Sequence, residues 1–292
     1  MYLEHLRIPA GDGALHVTRA GRGGRPIVLV HGFGSSAFLW RHVAVRLATA
    51  GEVALAPDLL GHGESDRPAD AAFGIVEQSR VLDHALTALR VSRAIVVGID
   101  LGALVAIDLA ARFPERVARL VLVSPSDPDD LPPAEVRALQ RSAARLAVRL
   151  DPGLFGALAV LEPFLADAAA SPERIPRRLA ARYAAPYVGR DGLQHLLLLA
   201  RALETAPDEP LAIERVRAPV TVVRGSADRL CTAEAAEQLA RRFAHAELAT
   251  IEGAGRLIPE EAPGPLAALL LEVAALGTLP IEPPAFTAPP AG

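Results

Sequence analysis

Val96-Val97-Gly98-Ile99-Asp100-Leu101-Gly102-Ala103 is the stretch on which the fold turns. The apolar run Ala94-Ile95-Val96-Val97 leads into it, and an apolar helical pattern from Leu101 to Phe113 leaves it, stopped by Pro114. A buried strand, a tight turn and a helix follow one another with no loop between them. The frame G-x-D-x-G is that of a nucleophile elbow, in which a reactive side chain is carried on a sharp strand-to-helix turn. Gly98 and Gly102 let backbone and helix approach closely. Asp100 is thereby raised above the sheet at a helix N-terminus, where free amides and the helix dipole favour an anion. An ordinary N-cap aspartate is the plain alternative; the register inside G-x-D-x-G favours a functional residue.

Outward from the elbow, strands and helices alternate. The first twenty residues alternate in polarity and turn at Gly11-Asp12-Gly13, the pattern of a β-hairpin. Pro26-Ile27-Val28-Leu29-Val30 reads as a buried parallel strand, followed by the loop His31-Gly32-Phe33-Gly34-Ser35-Ser36, a helix over about 37–50 and a strand over 53–56. A helix is predicted over about 76–90, and a strand over 120–123 follows the elbow helix. Near 126 the alternation breaks into a helical stretch interrupted by Pro132-Pro133, Pro152-Gly153 and Pro186. It resumes with a strand over 219–223, a helix over 233–243, a strand over 247–251 and a helix over 265–276. Apolar strands alternating with helices predict a mostly parallel sheet covered on both faces. The expected organisation is a core of 1–125 and 211–278, a helical cap insertion over 126–210, and a Pro- and Ala-rich disordered tail over 279–292.

The composition is that of a globular domain: 292 residues, 51% hydrophobic and 22% charged, with net charge −4. That charge favours neither nucleic acid nor an anionic membrane surface. All 30 basic residues are Arg, which reads as coding bias. One cysteine, Cys231, allows no internal disulfide. The N-terminus lacks a basic-then-apolar signal pattern, and the apolar runs at 196–199 and 269–271 are too short to span a bilayer. A cytoplasmic protein acting on a small molecule is expected; oligomeric state is not readable. No metal site, phosphate loop or dinucleotide fingerprint is present, so no cofactor is expected. The Gly-rich loop at Gly21 precedes a strand instead of opening a helix.

Four segments in order resemble the α/β-hydrolase superfamily over about 3–276. They are His31-Gly32-Phe33-Gly34, Asp58-Leu59-Leu60-Gly61-His62-Gly63-Glu64-Ser65-Asp66, the elbow at Asp100, and Gly225-Ser226-Ala227-Asp228. The resemblance implies an α/β-hydrolase fold, an oxyanion hole from the backbone amides of Phe33 and Leu101, and Asp228 as the acid. Asp at the nucleophile position resembles haloalkane and fluoroacetate dehalogenases and epoxide hydrolases. In those enzymes the carboxylate forms an alkyl-enzyme ester that a His-activated water then opens. Departures are Leu101 where Trp often stands, Ile99 where His often stands and, above all, Arg256. Ile251-Glu252-Gly253-Ala254-Gly255-Arg256 is the frame in which the matching His base belongs. Arg stays protonated and cannot accept a proton. Arg256 is expected to pair with Asp228, and its guanidinium is able to reach Asp100 as well.

Candidates for contacting substrate are His31, Trp40, Tyr183, Tyr187 and His195. Four-residue spacing predicts Tyr183 and Tyr187 on one helix face, as the paired cap tyrosines of epoxide hydrolases are; packing of a cap helix explains them equally well. His31, His62 and His195 are possible relocated bases, each with a structural explanation, and His245 belongs at the far end of the last strand. Asp127, Asp129 and Asp130 are alternative acids. An acid beside a fixed cation, without a base, points to a cofactor-free lyase or cyclase in which Asp100 deprotonates a carbonyl compound and the amides and Arg256 hold the enolate. The Arg neighbour weakens Asp100 as a base and demands an acidic C–H. The alternatives are an Asp-nucleophile hydrolase with a relocated base and a non-catalytic ligand-binding protein.

Overall fold

Two-residue periodicity along the central strands assigns their side chains to two separate cores. Val28, Val30, Leu55, Val96, Leu120, Leu122 and Val222 lie in one buried cluster. Their sequence neighbours Ile27, Leu29, Ala54, Ala56, Ile95, Val97, Val121, Val123 and Val223 lie in the other. Burial of both faces is why these segments read as continuous apolar runs. Each fully buried Leu, Ile or Val contributes about 1.5–3 kcal/mol, so both faces of the sheet stabilise the fold.

The computed structural model describes residues 3–11, 13–147, 156–189, 191–204 and 211–276. The tail expected over 279–292 lies outside the described residues, as do 148–155, 190 and 205–210 of the helical stretch. The elements of the first half are β1 (Glu4–Ala10), β2 (Gly13–Ala20), β3 (Pro26–Val30), α1 (Arg41–Thr49), β4 (Val53–Pro57), α2 (Ile75–Ala88), β5 (Ala94–Asp100), α3 (Leu101–Arg112) and β6 (Val117–Pro125). Then follow α4 (Ala134–Ala147), α5 (Gly156–Ala168), α6 (Arg177–Ala184), α7 (Gly192–Arg201), β7 (Val220–Gly225), α8 (Ala233–Ala240), β8 (Ala246–Ile251), α9 (Ile258–Glu261) and α10 (Pro263–Ala275). The eight-stranded sheet runs β1-β2-β4-β3-β5-β6-β7-β8. β1 and β2 form the predicted antiparallel hairpin, β2 pairs antiparallel with β4, and every later pair is parallel. α2 and α3 pack together on one face and α1 and α10 on the other.

The helix read over 37–50 opens as a 3-10 turn, Ala37–Trp40, before α1. Its first free amide, Ala37 N, donates to Asp58 Oδ1 at 2.6 Å, which ties the start of that turn to the loop after β4. Among the described residues, the stretch between β6 and β7 carries helices and 3-10 turns. α5 lies against the loop after β3: a Cβ on Gly34, whose φ is +66°, would stand 2.8 Å from Leu161 Cδ2. No helix among the described residues is long and apolar enough to cross a membrane.

Candidate active site

β5 passes into α3 with no intervening residue, and Asp100 is the joint. Its backbone has φ 55° and ψ −122°, a region that L side chains avoid, at a cost of order 1–3 kcal/mol. The packed sheet and helix enforce it. A Cβ on Gly98 would lie 2.2 Å from Gly102 O, and one on Gly102 would lie 2.4 Å from His31 O. Both glycines are therefore required by contact, as the G-x-D-x-G frame anticipates.

The Asp100 carboxylate is enclosed by donors. Phe33 N donates to Oδ2 at 3.0 Å, and the Leu101 amide bonds the carboxylate too. Ser126 Oγ donates to Oδ1 at 2.6 Å, and Arg256 Nη2 donates to the same oxygen at 2.6 Å. Nη2 also donates to Ser126 Oγ at 2.8 Å. Burial pushes the Asp100 carboxyl up, but the charge of Arg256 and the hydrogen bonds from Arg256, Ser126 and Leu101 outweigh it and hold the group below the usual carboxylate range. The two amides assigned to an oxyanion hole thus hold Asp100 itself. Phe33 N, expected to be free for a substrate oxyanion, is engaged by Asp100 Oδ2 in this structure.

Ser126 was not a candidate in the sequence. The one signal available was position: it follows β6, whose Pro125 is registered with Asp100. Groups at the carboxyl ends of adjacent parallel strands converge on the crevice where ligands bind in open α/β sheets.

Asp228 sits on the turn after β7, as its motif predicts. Its Oδ1 accepts from Leu230 N at 2.9 Å and Cys231 N at 3.1 Å. Oδ2 is buried and without a hydrogen-bond partner. The expected hydrogen bond from Arg256 to this carboxylate is replaced by the bonds to Asp100 and Ser126. Two negative oxygens compete for one guanidinium, and in this structure the elbow holds it. Cys231, beside Asp228, is buried; desolvation and the Asp228 charge push its thiol up to about 11, so it is a small apolar residue and not a nucleophile.

None of the five candidate substrate contacts lines the cavity in front of Asp100. His31 is buried, with Nδ1 against Gly32 O and Nε2 accepting from Leu59 N at 2.9 Å. Trp40 is fully buried in the sheet's second core. Tyr183 and Tyr187 do not share a helix face. Tyr183 lies on α6 and donates to Glu260, while Tyr187 lies on the following 3-10 turn. Pro186 ends the helix between them, and the two rings enter different cores. His195 Nε2 meets Gly61 O at 2.7 Å. His62 is buried with Nδ1 against Leu60 O. Burial holds His31 and His195 below the usual imidazole value and lowers His62 to about 3. Among the described residues no His hydrogen-bonds Asp100. His245 is exposed just before β8, at the opposite end of the strands. Asp130 and Asp129 are paired with Arg137 and Arg242 at the surface.

The cavity at Asp100 has a volume of about 430 Å³. Phe33, Leu39, Phe164, Leu165 and Leu257 make most of its wall apolar, Asp100 and Arg256 stand in it, and Arg229 and Leu230 line it too. Arg229 Nη2 donates to Asp167 O on α5 at 2.7 Å and ties the acid turn to the helical insertion. A second cavity, about 330 Å³, shares Arg256, Leu230 and Ala134 with the first and adds Ser126, Cys231 and Gln238. The set is suited to holding an apolar molecule with one polar group at the Asp100–Ser126–Arg256 cluster. Among the described residues no group of three His, Cys, Asp or Glu side chains is placed to hold a metal ion.

The chain is similar in sequence and fold to known proteins. Epoxide hydrolase A of Mycobacterium tuberculosis is 30% identical over an alignment of 309 positions that covers 88% of this chain and 93% of that protein. A haloalkane dehalogenase of Mesorhizobium japonicum is 34% identical over 120 residues, 41% of this chain and 38% of the enzyme. An uncharacterised Mycobacterium tuberculosis protein is 40% identical over 119 residues, and the match spans only 34% of its length. Several curated relatives are thus matched over about a third of their length. Among solved structures, Cfl2 of Burkholderia cenocepacia superposes with a TM-score of 0.78 at 27% identity, over 93% of this chain and 95% of that one. The epoxide hydrolase CorEH superposes with a TM-score of 0.76 at 23% identity, over 94% and 99%, a likeness of fold. A profile described as the α/β hydrolase fold matches residues 25–263. With the elbow, the sheet order and that profile in agreement, the chain belongs to the α/β-hydrolase fold family.

Proposed function

We propose that the chain is a cofactor-free enzyme of small-molecule metabolism that moves a proton on an acidic carbonyl compound instead of hydrolysing an ester, epoxide or halide. Elimination, cyclisation or C–C bond formation all begin with that step. The observation that carries the reading is the Arg256 hydrogen bond to Asp100 Oδ1, at 2.6 Å, in the place where a water-activating His belongs. Among the described residues no imidazole bonds Asp100, so an alkyl ester there would lack the usual group that activates the water needed to open it.

In this reading Asp100 Oδ1 accepts the proton of the substrate C–H, and the electron pair moves onto the carbonyl oxygen. The resulting enolate is stabilised by the positive charge of the nearby Arg256 guanidinium. Phe33 steadies the carboxylate through Oδ2, and the Leu101 amide bonds it as well. Because these donors depress Asp100, it is a weak base, and the C–H must be acidified, as by two flanking carbonyls. The apolar wall excludes water and takes the rest of the molecule, with the insertion helices acting as a cap. The protein acts in the cytoplasm, on a small molecule and without a nucleic-acid or membrane partner.

A second reading, an Asp-nucleophile hydrolase, is favoured by the 30% identity to Epoxide hydrolase A across most of both chains. One experiment separates the two. The protein is incubated with styrene oxide, with 1-bromobutane and, in D2O, with a 3-oxo ester bearing an alkyl chain. Deuterium exchange at the activated carbon above the buffer rate, abolished in Asp100→Asn, is expected. Repeated-turnover formation of diol or alcohol, or a lasting alkyl adduct on Asp100 by intact mass, overturns the proposal.

A further inference from the structure

Asp228 Oδ2 is a buried carboxylate oxygen with no hydrogen-bond partner, on a residue only 5% exposed. Buried polar atoms in native proteins are almost always paired, and an unpaired anionic one is the costlier kind. The turn that bears it is locked to the loop that bears Arg256. Ala227 N donates to Ala254 O at 2.9 Å, and Ser226 N donates to Ile251 O at 3.0 Å. A Cβ on Gly225 would lie 2.3 Å from Gly255 O. The Arg256 backbone is itself pinned, its amide donating to Ala168 O at 2.8 Å. Any motion is therefore in the side chain. Arg256 lines both cavities, and the second, about 330 Å³, is walled by Leu230 and Cys231 of the acid turn. Cys231 N in turn bonds Asp228 Oδ1.

From these contacts we infer that Arg256 has two seats, one on Asp100 and Ser126 and a second on Asp228 Oδ2, and that it changes seat to release Asp100 for chemistry. In the first seat Asp100 Oδ1 is occupied by the guanidinium, and the carboxylate is a closed, inactive anion. In the second, Asp100 keeps only Phe33, Leu101 and Ser126 as donors, and Oδ1 faces the first cavity as a freer proton acceptor. Asp228 is then a positioning residue: it acts on substrate only through Arg256. A long side chain between two buried carboxylates at fixed backbone positions is a two-state element of the kind that a ligand biases by differential contacts. The functional meaning of the motion rests on the proposed role of Asp100. Its existence does not, and the test needs no substrate.

The test is a crystal structure of Asp100→Asn beside the parent protein. Asn keeps the shape and tolerates positive φ, but removes the charge that holds the first seat. The expected result is the Arg256 guanidinium within about 3 Å of Asp228 Oδ2. A guanidinium still on residue 100 and Ser126, or an ordered water satisfying Asp228 Oδ2 in both proteins, overturns the inference. Urea unfolding of the parent, Asp100→Asn, Asp228→Asn and the double variant gives a second reading that a purely structural Asp228 would not produce. The charge at Asp228 should matter at least about 5-fold more to the unfolding constant in the Asp100→Asn background than in the parent. Additivity within about 2-fold overturns it. Failure of either leaves the deuterium-exchange experiment standing, and loss of exchange leaves the two seats standing.

Discussion

The elbow after β5 and the acid turn after β7 each carry one buried aspartate at the carboxyl end of a parallel strand, and the two are treated in opposite ways. Asp100 receives two backbone amides, a hydroxyl and a guanidinium. Asp228 receives two amides on one oxygen and no hydrogen bond on the other. The backbone provides for both carboxylates almost equally; the difference is made by one cation. Where a neutral imidazole would bridge acid and nucleophile, a permanently charged guanidinium has to be shared, and the structure shows it given to the nucleophile position. An arginine at this place therefore holds the Asp100 carboxylate charged, below the usual carboxylate range.

Removing the cation should break the contrast most strongly. Arg256→Leu leaves Asp100 buried without its counter-charge, and losing one partner of a buried pair costs about 3–5 kcal/mol. Chemical denaturation at neutral pH should show a loss of that order, relieved as Asp100 takes up a proton in acid. A loss below about 1 kcal/mol would mean the pair contributes no more than a surface salt bridge.

Neutralising each acid in turn sharpens the comparison. Asp100→Asn forfeits charge-assisted hydrogen bonds worth about 1.5–3 kcal/mol. Asp228→Asn keeps the Oδ1 acceptor for both amides and removes an oxygen that has no partner, so it should change stability by less than about 1 kcal/mol. Equal losses in the two variants would show that the two sites are not distinguished as described.

The pH dependence of stability separates the histidines from the carboxylates. His31 and His62 are lowered by burial, His62 to about 3. They stay neutral in the fold, while the unfolded chain binds their protons below about pH 6.5. Their contribution is complete above that value and falls with acid, by up to about 1.4 kcal/mol per pH unit for each proton taken up only on unfolding. Asp100, also lowered, has the same sign but acts only as the pH falls through the ordinary carboxylate range near 3.8 and below. Thermal melts between pH 7 and 4 should decline, and His62→Asn should flatten that decline. An unchanged slope would place the acid sensitivity elsewhere.

Much of the site was legible because local rules dictate it. Gly98 and Gly102 had to be glycine for the turn to close, Asp228 occupies the turn its motif describes, and Arg256 stands in the loop read for the missing base. The misses share a different cause. Ser126 belongs to no motif; it matters because β6 lies beside β5. Tyr183 and Tyr187 have the spacing of a helix face, but Pro186 ends the helix and sends the rings to different cores. His195 and Trp40 have the right chemistry for a pocket and are consumed by packing.

The sequence by itself determined the α/β-hydrolase fold, the alternation that buries both faces of the sheet, and the presence of an arginine in the loop where a base was expected. These follow from periodicity, from steric demands on single residues and from the chemistry of the guanidinium. Only the tertiary structure decided which carboxylate the arginine serves, that a serine completes the cluster, and that the oxyanion-loop amide of Phe33 is spent on Asp100. Those are contests between groups brought together from distant segments, and they are resolved by distance and direction, which no stretch of chain contains.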